Sequence, residues 1–430
     1  MARGGAEAER FEEYLRRLYE AVGHADRRAP MKAYISGLLL PGERKSVEPM
    51  AAKIDPRRVR AQHQSMHHFV ASARWDTEAV LRIARDHALE QLERHAPVGA
   101  WVIDDTGMPK KGRHSVGVAR QYCGQLGKQE NCQVAVTISL ANTVMSVPAA
   151  YRLYLPEEWA QDRGRREEAG VPKEVKFQKK WEIALAEIDS LLEDDLPRAP
   201  VVADAGYGVA TEFRKALVER KLSYAMGISS EVSVWPPGQQ PLAAPAWSGR
   251  GRPPKLLRRS DTQRPMSVMQ LAKQQPQTKW RAVRWREGTK GTMSSRFLMV
   301  RVRVAHRDYW RSEPHDTEWL LVEWPKSERE PTKFWLSNVP ASVDLEDLVR
   351  LVKIRWRIER DYQELKDELG LDHYEGRGWE GFHHHGVLCI AAYAFLAAER
   401  ARLSPPEPLA FLRAASLPRG FRPRGAARAS

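Results

Sequence analysis

Four residues in the C-terminal part of the chain have side chains that suit metal or phosphate chemistry. Arg355, Glu359, Tyr362 and Lys366 are separated by four, three and four residues. At 3.6 residues per turn, this spacing predicts one stripe on a helix, with a carboxylate between two cations and a phenol. The alternative is a solvated face stabilised by ion pairs between turns. Apolar neighbours predict that much of this helix is buried, and a buried charged face needs a partner or a function.

Two further acids follow predicted strands elsewhere in the chain. Asp105, next to Asp104, ends the apolar run AWVI, and Asp204 ends the run VVA just before Gly206. If these acids converge with Glu359, they form an all-oxygen site of the kind that binds Mg²⁺ or Mn²⁺. Two ions about 4 Å apart would suit the in-line displacement of a phosphodiester. Taken singly, an aspartate at a strand end is more often a turn or cap residue.

The elements that position these acids follow from the pattern of apolar residues. Residues 1–97 have helical periodicity, with Asp76 as a predicted N-cap. In residues 98–229 the pattern of apolar residues predicts three antiparallel strands, followed by a helix, a strand, a second helix and a further strand. Because no helices separate the opening strands, this order predicts a mixed α/β sheet with flanking helices rather than an all-parallel one.

The second half of the chain changes composition twice. Residues 230–340 begin with a Pro- and Gly-rich basic stretch and continue in β-type runs, which predicts a β-rich insertion before the last acid. Residues 341–402 predict the helical end of the catalytic domain, including one long helix from about Asp344 to Leu369. Residues 403–430 predict a basic, disordered tail.

The positive charge of the chain is concentrated in one segment. The formal net charge is +14, and residues 250–303 contain 15 Lys or Arg but only Asp261 and Glu287 as acids. A localised basic block favours contact with nucleic acid, although a solvated loop is an equal alternative. Within the block, Arg281, Arg284 and Arg286 are the predicted DNA contacts.

Several classes of protein are disfavoured by composition. No apolar run reaches the roughly 18 residues of a membrane span, and the N-terminus lacks the apolar core of a signal peptide, so a cytoplasmic protein is expected. Three cysteines without a CxxC pair argue against a disulfide framework and against a structural zinc site. The run His383–His385 is tempting as a metal site, but consecutive helical residues point in different directions. A helix-start or phosphate-contact role is the preferred interpretation.

The helix with Glu359 resembles a known signature. The segment from Arg355 to Lys366 is similar to the R-x3-E-x6-K part of the YREK signature of DDE transposases, which are bacterial insertion-sequence enzymes with an RNase H-like core. Asp105 with Thr106 resembles the first acid of that family, and VADAGYG resembles the strand that carries the second. The signature's tyrosine would fall at Val352, which is a departure.

The resemblance implies a function and a role for each residue. Asp105, Asp204 and Glu359 would ligate two Mg²⁺ or Mn²⁺ ions for cleavage at the ends of an insertion sequence and strand transfer into target DNA. Arg355 and Lys366 would hold phosphates, with Tyr362 as a further DNA contact. The implied partners are double-stranded DNA, namely the terminal inverted repeats bound by the N-terminal region and the target, and a second copy of the chain in a synaptic complex. The implied location is the bacterial nucleoid.

Two other functions stay open. One is an RNase H-like nuclease that cuts without strand transfer. The other is a domesticated DNA-binding protein that has lost catalysis, against which the intact set of acids argues.

Overall fold

In the computed structural model of the protein, residues 2–260, 262–288 and 291–403 are described. The predicted tail, 403–430, lies outside the described residues except for Leu403. The helices, in chain order, are α1 Ala2–Ala21, α2 Arg28–Leu39, α3 Val47–Ile54, α4 Val59–Ala71, α5 Thr77–His95, α6 Glu157–Gln161, α7 Arg163–Glu168, α8 Lys180–Glu193, α9 Ala205–Gly208, α10 Thr211–Glu219, α11 Val268–Gln274, α12 Leu345–Lys353, α13 Trp356–Asp367 and α14 Trp379–Leu403.

The strands all belong to one sheet. They are β1 Ala100–Pro109, β2 Ala119–Cys123, β3 Lys128–Ala141, β4 Ser146–Leu153, β5 Val201–Ala203, β6 Tyr224–Ile228, β7 Ser233–Trp235, β8 Met266–Ser267, β9 Arg281–Gly288, β10 Gly291–Val304, β11 Thr317–Trp324 and β12 Lys333–Ser337. Their order is β2-β3-β1-β5-β6-β12-β11-β10-β7-β8, with β4 paired to β3 and β9 paired to β10.

The N-terminal helices form because each presents an apolar stripe to a shared core. In α1 the buried side chains of Tyr14, Leu15 and Leu18 recur at helical spacing. Asp76 caps α5 by accepting hydrogen bonds from the backbone N–H groups of Glu78 and Ala79, as predicted. These helices enclose α14, which is buried along most of its length. The C-terminal helix therefore joins the N-terminal region to the sheet.

The mixed sheet predicted from the sequence is confirmed, and it is consistent with an RNase H-like fold. Strand β1 pairs antiparallel with β3 and parallel with β5, and β5 pairs parallel with β6. Strand β1 is thus an interior strand, between the antiparallel strand β3 and β5, the strand that leads into Asp204. One strand missed by the sequence reasoning is β2, which pairs with the first residues of β3.

The region predicted as an insertion is β-rich, and its strands continue the central sheet. Strand β12 pairs antiparallel with β6, and β11 and β10 follow in order. Its apolar residues form two smaller clusters beside the main core. Residue 230, the predicted boundary, lies in the turn between β6 and β7, and strands from the two sides of it are hydrogen-bonded to each other.

The predicted long helix, Asp344–Leu369, is wrong as one element. The structure has α12 and α13, with an interruption at Ile354 and Arg355. Arg355 is the N-cap residue of α13, and both it and Ile354 keep right-handed helical backbone angles. The sequence contains no Gly or Pro at this point that would have signalled the break.

The described helices include none with the length and apolar character needed to cross a membrane.

Backbone contact between α9 and β6 fixes where the strand bearing Asp204 ends. A Cβ atom added at Gly208 would overlap the carbonyl oxygen of Gly227, which belongs to β6. The two elements are therefore in direct backbone contact, and only glycine permits this approach.

We expect Gly208→Ala to lower the free energy of unfolding by about 1–3 kcal/mol, because the added methyl group must displace the backbone of β6. Denaturant unfolding measures this loss. Gly112→Ala is the matched control, since a Cβ there meets nothing within 4 Å. Equal stability of the two variants would contradict the close approach of α9 and β6.

Candidate active site

Asp104 of β1 and Arg355, the N-cap residue of α13, form a partly buried ion pair. The Nη2 atom of Arg355 lies 3.1 Å from Oδ1 of Asp104, and the two side chains are 22% and 18% exposed. Burial raises the pKa of the Asp104 carboxyl to about 6; the positive charge of Arg355 opposes this rise, and the negative charge of Asp204 adds to it. The ion pair therefore stabilises the charged form of Asp104 at a position where burial disfavours that form.

Asp204 approaches the same guanidinium from the end of β5. Its Oδ1 atom accepts a hydrogen bond of 2.9 Å from the backbone N–H of Gly206, which caps the short helix α9. Oδ1 of Asp204 is thus used in capping α9, and the side chain remains partly exposed. Asp204 can therefore have the predicted cap role and also a role in the site.

Glu359 lies on the first turn of α13, one turn after Arg355, and its side chain is exposed. Burial alone would lower the pKa of Arg355, but the negative charges of Asp104, Asp204 and Glu359 outweigh this effect and raise it. One guanidinium is therefore the shared electrostatic partner of three carboxylates that come from β1, the end of β5 and α13.

The arrangement fits a hard divalent cation by its chemistry, although no site is formed. In the described parts of the chain, no three His, Cys, Asp or Glu side chains are grouped closely enough to hold a metal ion. Asp104, Asp204 and Glu359 nevertheless supply only oxygen donors, and together they carry more negative charge than Arg355 neutralises. Only Asp104 is within ion-pair distance of Arg355 among the described contacts, so a shared metal position would require the three acids to move closer together.

Asp105 was predicted as the first acid of the set, but its carboxylate is elsewhere. Its Oδ2 atom lies 2.7 Å from Nζ of Lys180 on α8, and its Oδ1 atom accepts a hydrogen bond of 2.6 Å from the hydroxyl of Tyr207 on α9. The structure brings Asp104, and not Asp105, to Arg355. Lys180 and Tyr207 were not singled out from the sequence, since nothing in their local pattern marks them.

Only part of the predicted stripe on the helix is exposed to solvent. Tyr362 lies in the main hydrophobic core, so the predicted DNA contact is wrong for this conformation because the phenol is buried. Lys366 is also buried, and its Nζ atom donates a 2.7 Å hydrogen bond to the carbonyl oxygen of Gly107 in β1. Burial lowers the pKa of this ammonium group. Val352, at the position of the signature tyrosine, packs in a cluster of the β-rich region.

The three consecutive histidines are part of the core. The Nδ1 atoms of His383 and His384 bond the carbonyl oxygens of Trp379 and Val70, and Nε2 of His385 bonds that of Gly370. Burial lowers the pKa of His383 to about 3 and the pKa values of His384 and His385 to about 4. Of the two preferred roles, the phosphate contact does not fit because the rings are buried, whereas the three histidines do lie near the start of α14.

Residues of the β-rich region contact the chain on both sides of the interruption between α12 and α13. The ammonium group of Lys353 donates a 2.7 Å hydrogen bond to Glu323 of β11 and lies 4.4 Å from the ring centroid of Trp285 in β9. The guanidinium of Arg286 lies 3.8 Å from the ring centroid of Trp356. These contacts flank Arg355, so strands β9 and β11 fix the point from which the site's guanidinium projects.

The other two predicted DNA contacts in this region are exposed. Arg281 on β9 forms an ion pair of 2.6 Å with Glu346 of α12, and Arg284 lies on the exposed side of the same strand. Arg286, by contrast, is half-buried against Trp356. Of the three predicted arginines, Arg281 and Arg284 are thus the more accessible.

We expect Lys353→Met to lower the free energy of unfolding by about 3 kcal/mol, because Glu323 would remain buried without its partner. Adding Glu323→Gln should recover part of this loss, and a double-mutant cycle with chemical denaturation measures the coupling. Additive effects of the two substitutions would mean that the pair does not hold the junction.

Comparison with known proteins identifies the family. A family model described as "DDE superfamily endonuclease" matches residues 17–292, more than half of the chain. This match includes Asp104, Asp105 and Asp204 and ends before Glu359. The "Probable transposase for insertion sequence element IS701" of Microchaete diplosiphon is 35% identical over 168 residues. That alignment covers 39% of this chain and 41% of the relative, so the chain spans about two-fifths of the curated relative it matches. A match of this extent to the family model, together with the mixed sheet, shows that the chain belongs to the DDE superfamily of endonucleases.

Proposed function

We propose that this protein is a DNA transposase that cleaves DNA at the ends of an insertion sequence and joins those ends to target DNA. The observation that carries the proposal is the 3.1 Å ion pair between Asp104 and Arg355, at a place where the negative charges of Asp204 and Glu359 also raise the pKa of Arg355. The similar protein from Microchaete diplosiphon is itself described as a probable transposase, which supports the same function here. Strand transfer, the ends and the target are parts of this proposal.

Membership of the superfamily implies dependence on a divalent metal ion, and we propose that two Mg²⁺ or Mn²⁺ ions are bound. Asp204, Glu359 and an acid of β1 would hold them. Bound ions of this type supply Lewis-acid stabilisation to the oxygens of a phosphodiester undergoing displacement. The carboxylates of the chain provide the hard oxygen donors that such ions prefer.

The chain's own cations would orient the DNA and the acids. Arg355 keeps Asp104 paired in the absence of other cations, and its planar guanidinium can also hold a phosphate oxygen pair. Lys366 is bonded to the carbonyl oxygen of Gly107, which secures β1 against α13. In this conformation the direct role of Lys366 is therefore to position the strand that carries the acids.

Two surfaces would bind duplex DNA. One is the basic segment 250–303, whose described N-terminal part is strongly exposed. The other is α4, where Arg60, Gln64 and His67 are exposed and the surrounding sequence from Pro56 to Trp75 contains no acid. Helices α3 and α4 are joined by four residues and pack together, an arrangement in which a second helix can enter the major groove. We assign α4 to the transposon ends.

The remaining parts of the proposal concern assembly and location. Synapsis of two DNA ends requires two bound ends at once, so a homodimer is proposed in that complex. A bacterial cytoplasmic protein associated with the nucleoid would meet its DNA directly. An RNase H-like nuclease that cuts without joining is the second candidate, and a strand-transfer assay with pre-cleaved ends and a target plasmid separates the two.

We expect Glu359→Gln to bind end DNA normally and to lose Mg²⁺-dependent cleavage by at least about a hundredfold, because metal stabilisation of a phosphoryl transition state is worth several kcal/mol. Cleavage of labelled end DNA and gel-shift affinity measure the two properties. Glu368→Gln, an exposed acid at the end of the same helix, is the matched control. Retained cleavage in Glu359→Gln would remove this residue from the mechanism.

We expect Arg250→Glu combined with Arg252→Glu to weaken DNA binding and to reduce the dependence of affinity on salt. The slope of log affinity against log salt concentration should fall in magnitude by about 1 per lost phosphate contact. Arg163→Glu, at an exposed arginine of α7 paired with Glu167, is the control for added negative charge. A slope equal to that of the control would identify the basic segment as a solvated loop.

A further inference from the structure

The two neighbouring acids of β1 lie on opposite faces of the sheet. Successive side chains of a strand alternate, so Asp104 and Asp105 cannot address the same site. Asp104 contacts Arg355 at the start of α13, whereas Asp105 contacts Lys180 of α8 and Tyr207 of α9. The residues that each carboxylate meets therefore distinguish two functions.

The contacts of Asp105 occupy both of its carboxylate oxygens. Lys180 takes Oδ2 at 2.7 Å, and the hydroxyl of Tyr207 donates to Oδ1 at 2.6 Å. Because its oxygens bond an ammonium group and a buried phenol, the Asp105 carboxylate has no oxygen directed towards Arg355. These two contacts connect β1 to α8 and to α9.

Tyr207 links Asp105 to the second acid of the site. It lies three residues after Asp204, on the helix that Asp204 caps, and its ring is buried. The hydrogen bond from Tyr207 to Asp105 therefore ties α9 to β1, in addition to the close backbone contact between Gly208 and β6. Because Tyr207 and Gly208 hold the C-terminal end of the four-residue helix α9, they restrict the position of Asp204, which caps its other end.

Asp104, in contrast, has a single ion-pair partner, and that partner is shared with the other acids. Arg355 pairs with Asp104 at 3.1 Å and also interacts with the charges of Asp204 and Glu359. A divalent ion at this place would have Asp104 beside it, and Asp204 and Glu359 would have to move closer to share it. Among the two acids of β1, only Asp104 has this environment.

We infer that Asp104 is the ligand that β1 contributes to the metal site, and that Asp105 is a positioning residue that fixes Asp204 through Tyr207. This inference rests on the proposed metal-dependent function, and it reassigns the role first predicted for Asp105. The two acids then have separable effects: loss of Asp104 removes a ligand, whereas loss of Asp105 loosens the support of another ligand.

The test compares Asp104→Asn, Asp105→Asn and Tyr207→Phe in the full-length protein. Two properties are measured: the rise in melting temperature on addition of Mn²⁺ alone, and the Mn²⁺ or Mg²⁺ concentration that gives half-maximal cleavage of end DNA. Asp195→Asn is the control, because this exposed residue has a left-handed backbone conformation (φ 55°) that asparagine also adopts.

We expect Asp104→Asn to lose both the Mn²⁺-induced stabilisation and cleavage. Asp105→Asn and Tyr207→Phe should keep both, with the half-saturating metal concentration raised about 10–100-fold, which is the usual cost of removing a group that orients a ligand. Because Asp104→Asn leaves Arg355 unpaired, Asp104→Cys provides a second variant. Restoration of its metal response by Mn²⁺ but not Mg²⁺ would indicate direct ligation, since thiolate is a poor Mg²⁺ ligand.

The opposite pattern overturns the inference. If Asp105→Asn abolishes the metal response at every concentration while Asp104→Asn retains it, the two roles are reversed and the proposed function stands. If both variants and Glu359→Gln cleave DNA with an unchanged metal requirement, the proposed metal-dependent function fails together with the inference.

Discussion

The partly buried ion pair between Asp104 and Arg355 is the interaction on which the arrangement of the site depends. A partly buried guanidinium is costly unless it has a carboxylate partner, and Asp104 lies 3.1 Å from Arg355. The negative charges of Asp204 and Glu359, which lie far from Asp104 in sequence, also raise the pKa of Arg355. The negative charge of Asp204 raises the pKa of Asp104 as well, and the positive charge of Arg355 opposes this rise.

The rest of the protein fixes the two ends of that pair. Asp104 belongs to a strand with partners on both sides, and the bond from Lys366 to Gly107 adds a contact from α13. Arg355 projects from a helix junction gripped by the β-rich region through Lys353. Asp104 and Arg355 are thus each positioned by contacts of their own strand or helix. Neither residue depends on the ion pair alone for its position.

Much of the fold could be predicted because periodicity and strand order are local properties of the sequence. The three opening antiparallel strands, the strand before Asp204 and the β-type runs after residue 280 all form as expected. The interruption at Ile354 and Arg355 could not be predicted, since no Gly or Pro marks it. The burial of the three histidines could not be predicted either, because two of them bond backbone carbonyls outside their own helix, those of Val70 and Gly370.

The choice between Asp104 and Asp105 shows the limit of sequence spacing most clearly. A shift of one residue along a strand reverses the face of the sheet, so a motif match can locate the pair of acids without choosing between them. Only the positions of Arg355 on one face and Tyr207 on the other make the distinction. The sequence therefore predicted which strands and which helix carry the candidate site. Choosing between the two acids of β1 required knowing which residues lie beside each of them in the structure.

The pairing of β12 with β6 has a mechanical consequence. Strand β6 adjoins β5, the strand that leads into Asp204, so the basic region and the acids share one ladder of hydrogen bonds. A polyanion that pulled on the outer strands would transmit its force across this ladder, because a hydrogen-bonded sheet bends as a unit and does not hinge at a linker. Engagement of DNA far from the acids would then be felt as a twist of the strands that carry them.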